Sequence, residues 1–314
     1  MNGNMNLDHL LNFIQIVEWG NISKAAAFLN IAQPALSRQI RSLENTLGAR
    51  LLRRHSWGVE PTEDGKQLLE HARRIEKECI AAKESVRSNK GNPVGSAYLG
   101  VPSAYSISLV PPLLQRMGVL YPNINIHVVE AFSGTIYEWL ISGRLDLAIL
   151  YYSKEHDAAD TTPFIDENMI ALGSAEMLAE KDEISLTDLA DRKLILPWRP
   201  HMHRLAVETA FMNADIPLEP RIQIDSLPCM KELARRGDGV TILPPSTVAQ
   251  ELADGRLHGA PLRPSINLAT VLGQTPNRQP TRAVRILVNT LKNLAVELAP
   301  KTGWNIATST DKEK

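Results

Sequence analysis

Motifs that would carry chemistry are scarce in this chain. It has two cysteines, Cys79 and Cys229, far apart and in no CxxC spacing, which excludes a disulfide framework and suits a reducing compartment. No apolar run approaches the roughly 18 residues of a membrane span. The first residues, MNGNMNLDHL, lack a basic stretch followed by an apolar one. The expectation is a soluble cytoplasmic protein without membrane contact, with Met5 as good a start as Met1. A GxxxxGKS/T phosphate loop is missing, GDGVTI lacks the GxGxxG spacing, and FSGT is not a GxSxG nucleophile turn. His201 and His203 form HxH, but zinc needs three or four ligands and nothing nearby completes a set. One or both read as loop histidines. No catalytic constellation remains, and no metal or cofactor is called for.

Acids are also missing from one place where they are usually found. The formal net charge is -1, yet Gln33 to Gly58 carries Arg38, Arg41, Arg50, Arg53 and Arg54 against Glu44 alone. A solvated helix mixes signs and favours Glu in its first turn. NIAQPALSRQIRSLE does neither. It opens with Gln33 and Pro34, with Pro34 at the first helical position, and it buries Ala35, Leu36, Ile40, Leu43 and Leu47 before Gly48 ends it. Two short helices precede it: LDHLLNFIQIV, with Leu7, Leu10, Leu11, Ile14 and Val17 on one stripe, and SKAAAFLN, with Ser23 as N-cap. Three such helices with a tight turn make a helix-turn-helix. Free N–H groups at a helix start bind phosphate, and the first turns of the second helix of such a motif enter the major groove. Gln33, Ser37 and Arg38 are therefore assigned to base edges, and Arg41, Arg53 and Arg54 to backbone or minor groove. A solvated helix with incidental arginines is the weaker alternative.

Beyond this, ARLLRRHSWGVEPTEDG has a turn signal at Ser56 to Gly58 between two extended runs, as in a hairpin or wing. Thr62 is placed to cap a long helix. Its Leu68, Ala72, Ile75, Cys79, Ala82 and Val86 follow a 4-3-4-3-4 spacing, a narrow seam suited to a second copy of the helix rather than to its own domain's core. SNKGNPVGS reads as a linker, and after it extended apolar runs alternate with helical patterns. That alternation argues α/β with largely parallel strands in two lobes, the chain crossing near 162–169 and 261–268.

The fold class expected is thus α + α/β. A winged helix-turn-helix spans 1–62, a linker and dimerisation helix with hinge 63–92, and a two-lobed domain 93–304. Lobe I takes 93–165 and 266–304, lobe II takes 166–265, and 305–314 form a disordered tail. A cleft between lobes is lined by strand ends and helix starts. The candidates are Ser103, Ala104, Ser133, Gly134, Thr135, Trp198, Arg199, His201 and Ser226. Hydroxyls and helix-start N–H groups suit a carboxylate or other small anion. Arg199 either pairs such a ligand or holds a surface acid.

The stretch FIQIVEWGNISKAAAFLNIAQPALSRQIRSLENTLGARLLRR, followed by TEDG and a long helix, resembles the N-terminal domain of LysR-type transcriptional regulators. YPNINIHVVEAFSGTIYEWLISGRLDLAIL and IDSLPCMKELARRGDGVTILPPS are similar to their effector domain, so the likeness covers nearly the whole chain. Leu52 and Pro61 stand where the family commonly has Phe and Leu around the wing. LPWRPHMHRL and EAFSGTIYEWL look most like regulators of nitrogen assimilation control. The resemblance implies a winged helix-turn-helix, a dimerising linker helix and a periplasmic-binding-protein-like effector domain closing over a small molecule. The implied partners are double-stranded DNA at a promoter dyad, an effector, further copies in a homodimer or homotetramer, and RNA polymerase. An enzyme with an appended DNA-binding domain is the alternative, and it would need a nucleophile, base or metal cluster that the sequence does not show.

Overall fold

A computed structural model describes residues 5–87, 92–153, 158–178, 182–276 and 278–306. The question of Met1 against Met5, the first part of the linker and the last part of the tail lie outside these residues. The chain divides into two compact units, residues 1–91 with 142–144, and the remainder.

In the first unit, α1 (Leu7–Trp19) is capped by Asn6, whose Oδ1 accepts from Asp8 N at 2.8 Å, and it stops at Gly20 with φ +57°. α2 (Ile22–Leu29) is capped by Asn21, which accepts from Ser23 N at 2.9 Å and Lys24 N at 3.1 Å. The expected cap, Ser23, is therefore the second residue inside the helix; the Asn carboxamide two positions earlier takes the free N–H groups. α3 (Gln33–Leu47) has no side-chain cap, carries Pro34 in its first turn and ends at Gly48 with φ +67°. Leu10, Phe13, Ile14, Ile16, Leu36, Ile40 and Leu43 form the core of this unit. Leu7 and Leu47, expected inside, are 42% and 41% exposed because each sits at a helix end, beyond the packed turns.

β1 (Leu52–His55) and β2 (Gly58–Pro61) pair antiparallel as the wing. Leu52 is buried in the unit's core. Val59 N donates to Gly20 O at 2.8 Å, and a Cβ on Gly58 would lie 2.3 Å from that oxygen, so only glycine permits this approach. Thr62 caps α4 (Glu63–Arg87), its Oγ1 accepting from Gly65 N at 3.0 Å. The expected seam is divided. Ala72 is buried in the unit's own core with Leu69, and Leu68 and Ile75 pack against them, whereas Ala82 and Val86 are exposed.

The second unit contains, in chain order, β3 (Gly95–Val101), α5 (Ser103–Ser108), α6 (Val110–Leu120), β4 (Ile124–Glu130), α7 (Ser133–Ile141), β5 (Leu147–Tyr151), β6 (Asp160–Asn168) and β7 (Ile170–Gly173). There follow α8 (Ala175–Leu178), β8 (Ile184–Ser185), α9 (Leu186–Ala190), β9 (Leu194–Leu196), α10 (Met202–Asn213), β10 (Ile222–Gln223), α11 (Leu227–Arg235) and β11 (Val240–Leu243). A 3-10 turn at Pro245–Thr247 leads to α12 (Ala249–Ala253), β12 (His258–Arg263), β13 (Asn267–Gln274), α13 (Arg282–Thr302) and β14 (Asn305–Ile306). β3 starts inside the stretch read as linker. One sheet runs β14-β6-β13-β5-β3-β4 and the other β10-β9-β11-β7-β12-β8.

The sheets are mixed rather than largely parallel. β3 is parallel to β4 and β5, and β9 to β10 and β11, but β13 runs antiparallel to β5 and β6, and β7 to β11 and β12. The antiparallel partners flank the crossings: a strand that leaves one sheet for the other returns in the opposite sense. β6 stays in the first sheet to Asn168 and β7 starts the second at Ile170, so the first crossing falls at Met169. The tail is not wholly irregular, since Asn305 and Ile306 pair with Asp166 and Ile165. Trp304, 4% exposed, anchors that turn of chain.

Beside this crossing lies a buried carboxylate, Glu167, 2% exposed. Its Oε1 accepts from Ser246 N at 2.7 Å, and its Oε2 from Ser246 Oγ at 2.9 Å and Trp304 Nε1 at 3.1 Å. One side chain thus joins β6, the 3-10 turn and the end of the chain. Burial pushes its pKa up to about 7, against the pull of these donors.

Candidate functional site

On the first unit the exposed front of α3 carries Gln33, Pro34, Arg38 and Arg41, with no acid in its first turn. Among the described residues no acid pairs with Arg38, Arg41 or Arg54. Ser37 departs from its expected role. It is 3% exposed, and its Oγ accepts from Gln33 Nε2 at 3.0 Å, so it stands behind Gln33 and orients that amide instead of facing a base. A hydroxyl one turn on from Gln33 lies along the same helical row and is its natural partner. Gln39 accepts from Asn12 Nδ2 at 2.8 Å, which ties α3 to α1.

The wing is fixed by two acids. Glu44 Oε1 accepts from Leu51 N at 2.9 Å, and Glu44 Oε2 lies 3.3 Å from Arg50 Nη1. The one acid within the basic stretch is thus a buried tether for the first wing strand. Across the hairpin Glu60 Oε1 meets His55 Nε2 and Arg53 Nη1, each at 3.0 Å, and these neighbours hold its carboxyl below the usual range. Arg53 therefore has a partner already. Trp57, 75% exposed, stacks on His55 with centroids 4.6 Å apart. Ser23 is exposed on α2.

In the second unit a cavity of about 540 Å³ opens between the two sheets' lobes, within the range of about 300–1,000 Å³ usual for small-molecule sites. Ser103, Ala104, Ser133, Gly134, Thr135, Trp198, Arg199 and His201 all line it. Ser226 does not. Its Oγ accepts from Cys229 N at 3.4 Å and is spent capping α11. Ser103 Oγ donates to Glu130 Oε1 at 2.7 Å, and Arg199 Nε donates to both oxygens of Glu208 at 2.9 and 3.0 Å. Arg199 thus holds a surface acid. Ser133 starts α7, is 6% exposed, and its Oγ is buried without a hydrogen-bond partner.

Sequence reasoning missed several wall residues. Phe132, Glu138, Tyr151, His203, Leu205, Asp225 and Thr247 also line the cavity. His203 is 3% exposed and lies inside α10, while His201 stands in the loop just before it. Burial takes its pKa down to about 3, with His201 adding to the effect, and His201 is itself lowered by burial. Both rings are neutral at ordinary pH. Among the described residues no group of side chains could hold a metal ion, and no helix is long and apolar enough to cross a membrane.

Residues 7–66 match the family model "Bacterial regulatory helix-turn-helix protein, lysR family", and residues 90–295 match "LysR substrate binding domain". The chain belongs to the LysR family. It is a DNA-binding transcriptional regulator with an effector-binding domain, and the two matched regions coincide with the two sites just described. The nitrogen assimilation regulatory protein Nac of Klebsiella aerogenes is 31% identical, over 77% of this chain and 79% of its own. The HTH-type transcriptional regulator BbuR of Bordetella bronchiseptica is 30% identical over 94% and 92%. These LysR relatives are regulators, which removes the enzyme alternative, and the likeness to nitrogen assimilation regulators is met. A solved full-length OxyR variant from Pseudomonas aeruginosa has the same fold, with a TM-score of 0.76 at 22% identity, covering 93% of this chain and 95% of that one.

Proposed function

We propose that paired copies of this regulator set the front turns of α3 into successive major grooves of a promoter dyad, and that a small molecule in the interlobe cavity biases how the pair sits. Gln33 and Arg38 read base edges, Ser37 orients Gln33, and Arg41 and Arg54 hold the phosphate backbone or minor groove, with Arg53 a weaker contributor. Ser23 and Pro34 flank the contact. Ala82 and Val86, exposed on the far half of α4, form the face on which a homodimer or homotetramer assembles. The site of action is the cytoplasm, with RNA polymerase the further partner at the promoter.

The observation that carries this reading is the uncapped, acid-free start of α3 with Gln33, Arg38 and Arg41 exposed on it. Effector control follows if the bound molecule favours one arrangement of the pair by differential affinity. Footprinting on a duplex selected from random sequence tests it. Arg38→Ala weakens binding to the selected site by about 1–3 kcal/mol and relaxes base preference at one position. An equal loss on selected and random duplex removes Arg38 from the reading set, and no protection at low salt removes the proposal.

A further inference from the structure

The cavity wall sorts its side chains by charge. Its buried members, among them Pro102, Ala104, Ser133, Tyr151, His203 and Leu243, are all uncharged, and burial keeps His203 so. Its charged members, Glu138, Arg199 and Asp225, are all exposed at the rim. Of these, Arg199 is the sole cation, and its Nε is already shared between the two oxygens of Glu208. Asp225 Oδ1 accepts from Trp198 N at 2.7 Å. A carboxylate pushed to the deep end would lose its hydration and meet no counter-charge, which is costly. Two half-exposed aromatics, Phe132 at 50% and Trp198 at 58%, flank the cavity, one from each lobe. Phe132 already packs edge-to-face with His201, centroids 5.2 Å apart, and a flat ring would extend such contacts.

Polar atoms in the wall add a second constraint. Ser133 Oγ, His201 Nδ1 and His203 Nε2 are buried with no hydrogen-bond partner. The Ile242 backbone beside the His203 ring favours a proton on it. With that proton on Nδ1, the neutral ring presents Nε2 as an acceptor. Each such orphan is a standing cost that a ligand N–H or O–H removes.

We infer that the effector of this cavity is an uncharged planar ring bearing an N–H or O–H donor, and that a charged group on it is accepted only at the rim. This departs from the carboxylate or other small anion expected from the sequence, and it rests on the proposed function of the cavity as the effector site. The test is isothermal calorimetry on the full chain with three probes of one shape: 2-naphthol, 2-methoxynaphthalene and naphthalene-2,6-dicarboxylate, which must bury a charge at one end. The expected order is naphthol first, the methyl ether about tenfold weaker for want of one hydrogen bond, and the dicarboxylate without measurable heat. His203→Phe, which keeps a ring and loses the acceptor, brings naphthol to the level of the ether. Leu205→Trp, narrowing the cavity from a partly exposed position on α10, weakens all binding and so locates it. Dicarboxylate binding that Leu205→Trp removes overturns the inference while leaving the cavity as the effector site. Naphthol binding unaffected by Leu205→Trp overturns both. No heat from any probe also overturns the ring class, and the duplex footprint, measured separately, still reports on DNA binding.

Discussion

The two sites of this regulator are built in opposite ways. The proposed DNA site is one short stretch of chain in which exposed cations stand on a helix start and a hairpin, and two acids, Glu44 buried and Glu60 at the surface, hold the frame. The cavity draws its wall from residues as far apart as Pro102 and Thr247, and it puts charge at the rim and neutral groups inside. A polyanion is met by flexible surface charge with its water largely retained. A small molecule is met by removing water, and there a charge without a partner is a cost. The first site can be damaged residue by residue, the second only through its frame or its polarity.

The largest expected effect comes from separating the two frames. Phe13 is fully buried in the first unit's core, and Phe13→Ala costs that unit about 3–5 kcal/mol. DNA protection is then lost, while calorimetric binding in the cavity is retained, because the substituted core belongs to the other compact unit. Loss of both together would show that the sites do not have separate frames. Next is the buried carboxylate at the lobe crossing. The pKa of Glu167 is about 7 in the folded chain against an ordinary 4.5, so the folded state holds this proton more tightly than the unfolded one. Its contribution is full below about pH 4.5 and is lost as pH rises to about 7, amounting to about 3 kcal/mol. Thermal melts of the wild type should lose stability across that window, and Glu167→Gln should flatten this part of the profile. An unchanged slope in the variant would assign the dependence to other groups.

What was legible in the sequence follows the same division. The winged helix-turn-helix could be read because each of its signals is local: Pro34 and Gly48 bound one helix, Thr62 caps another, and the turn at Ser56 to Gly58 makes the wing. Errors there were errors of a few positions, as when Asn21 and not Ser23 caps α2. Ser37 was misplaced because a polar residue in an apolar-periodic helix reads as surface until its partner Gln33 is known. In the effector domain, strand starts and helix starts were enough to find Ser103, Ser133 and Trp198. Strand direction was not, because β6 and β13 change sense where the chain changes sheets, and no local pattern records that. His203 and Tyr151 were missed for a related reason. Residues inside helices and strands read as core, and only the tertiary structure shows which part of the core borders empty space.

A smaller effect should come from Ser37. Ser37→Ala removes the hydroxyl that orients Gln33 and fills no new space, so the helix should lose about 0.5–1.5 kcal/mol at most. Discrimination at one base pair should fall more than overall affinity does, since a freed Gln33 can still reach phosphate. If selection from random duplex returns the same preferred base, Gln33 is not read through Ser37.

The smallest difference separates two neighbouring arginines on the wing. Arg53 pairs with Glu60 at 3.0 Å, whereas Arg54, opposite Val59 in the hairpin register, has no acid partner among the described residues. To meet a phosphate, Arg53 must give up or share an existing contact, so its net gain is reduced. Removing it also leaves Glu60 beside the duplex with one fewer hydrogen-bond partner, though His55 remains. Arg54→Ala should therefore lower the slope of log K against log salt by about 0.9, one phosphate contact. Arg53→Ala should change it by less. Equal slopes for the two variants would mean that Glu60 releases Arg53 on binding. The wing would then behave like α3, as a surface of free cations, and the frame of acids behind it would end at Glu44.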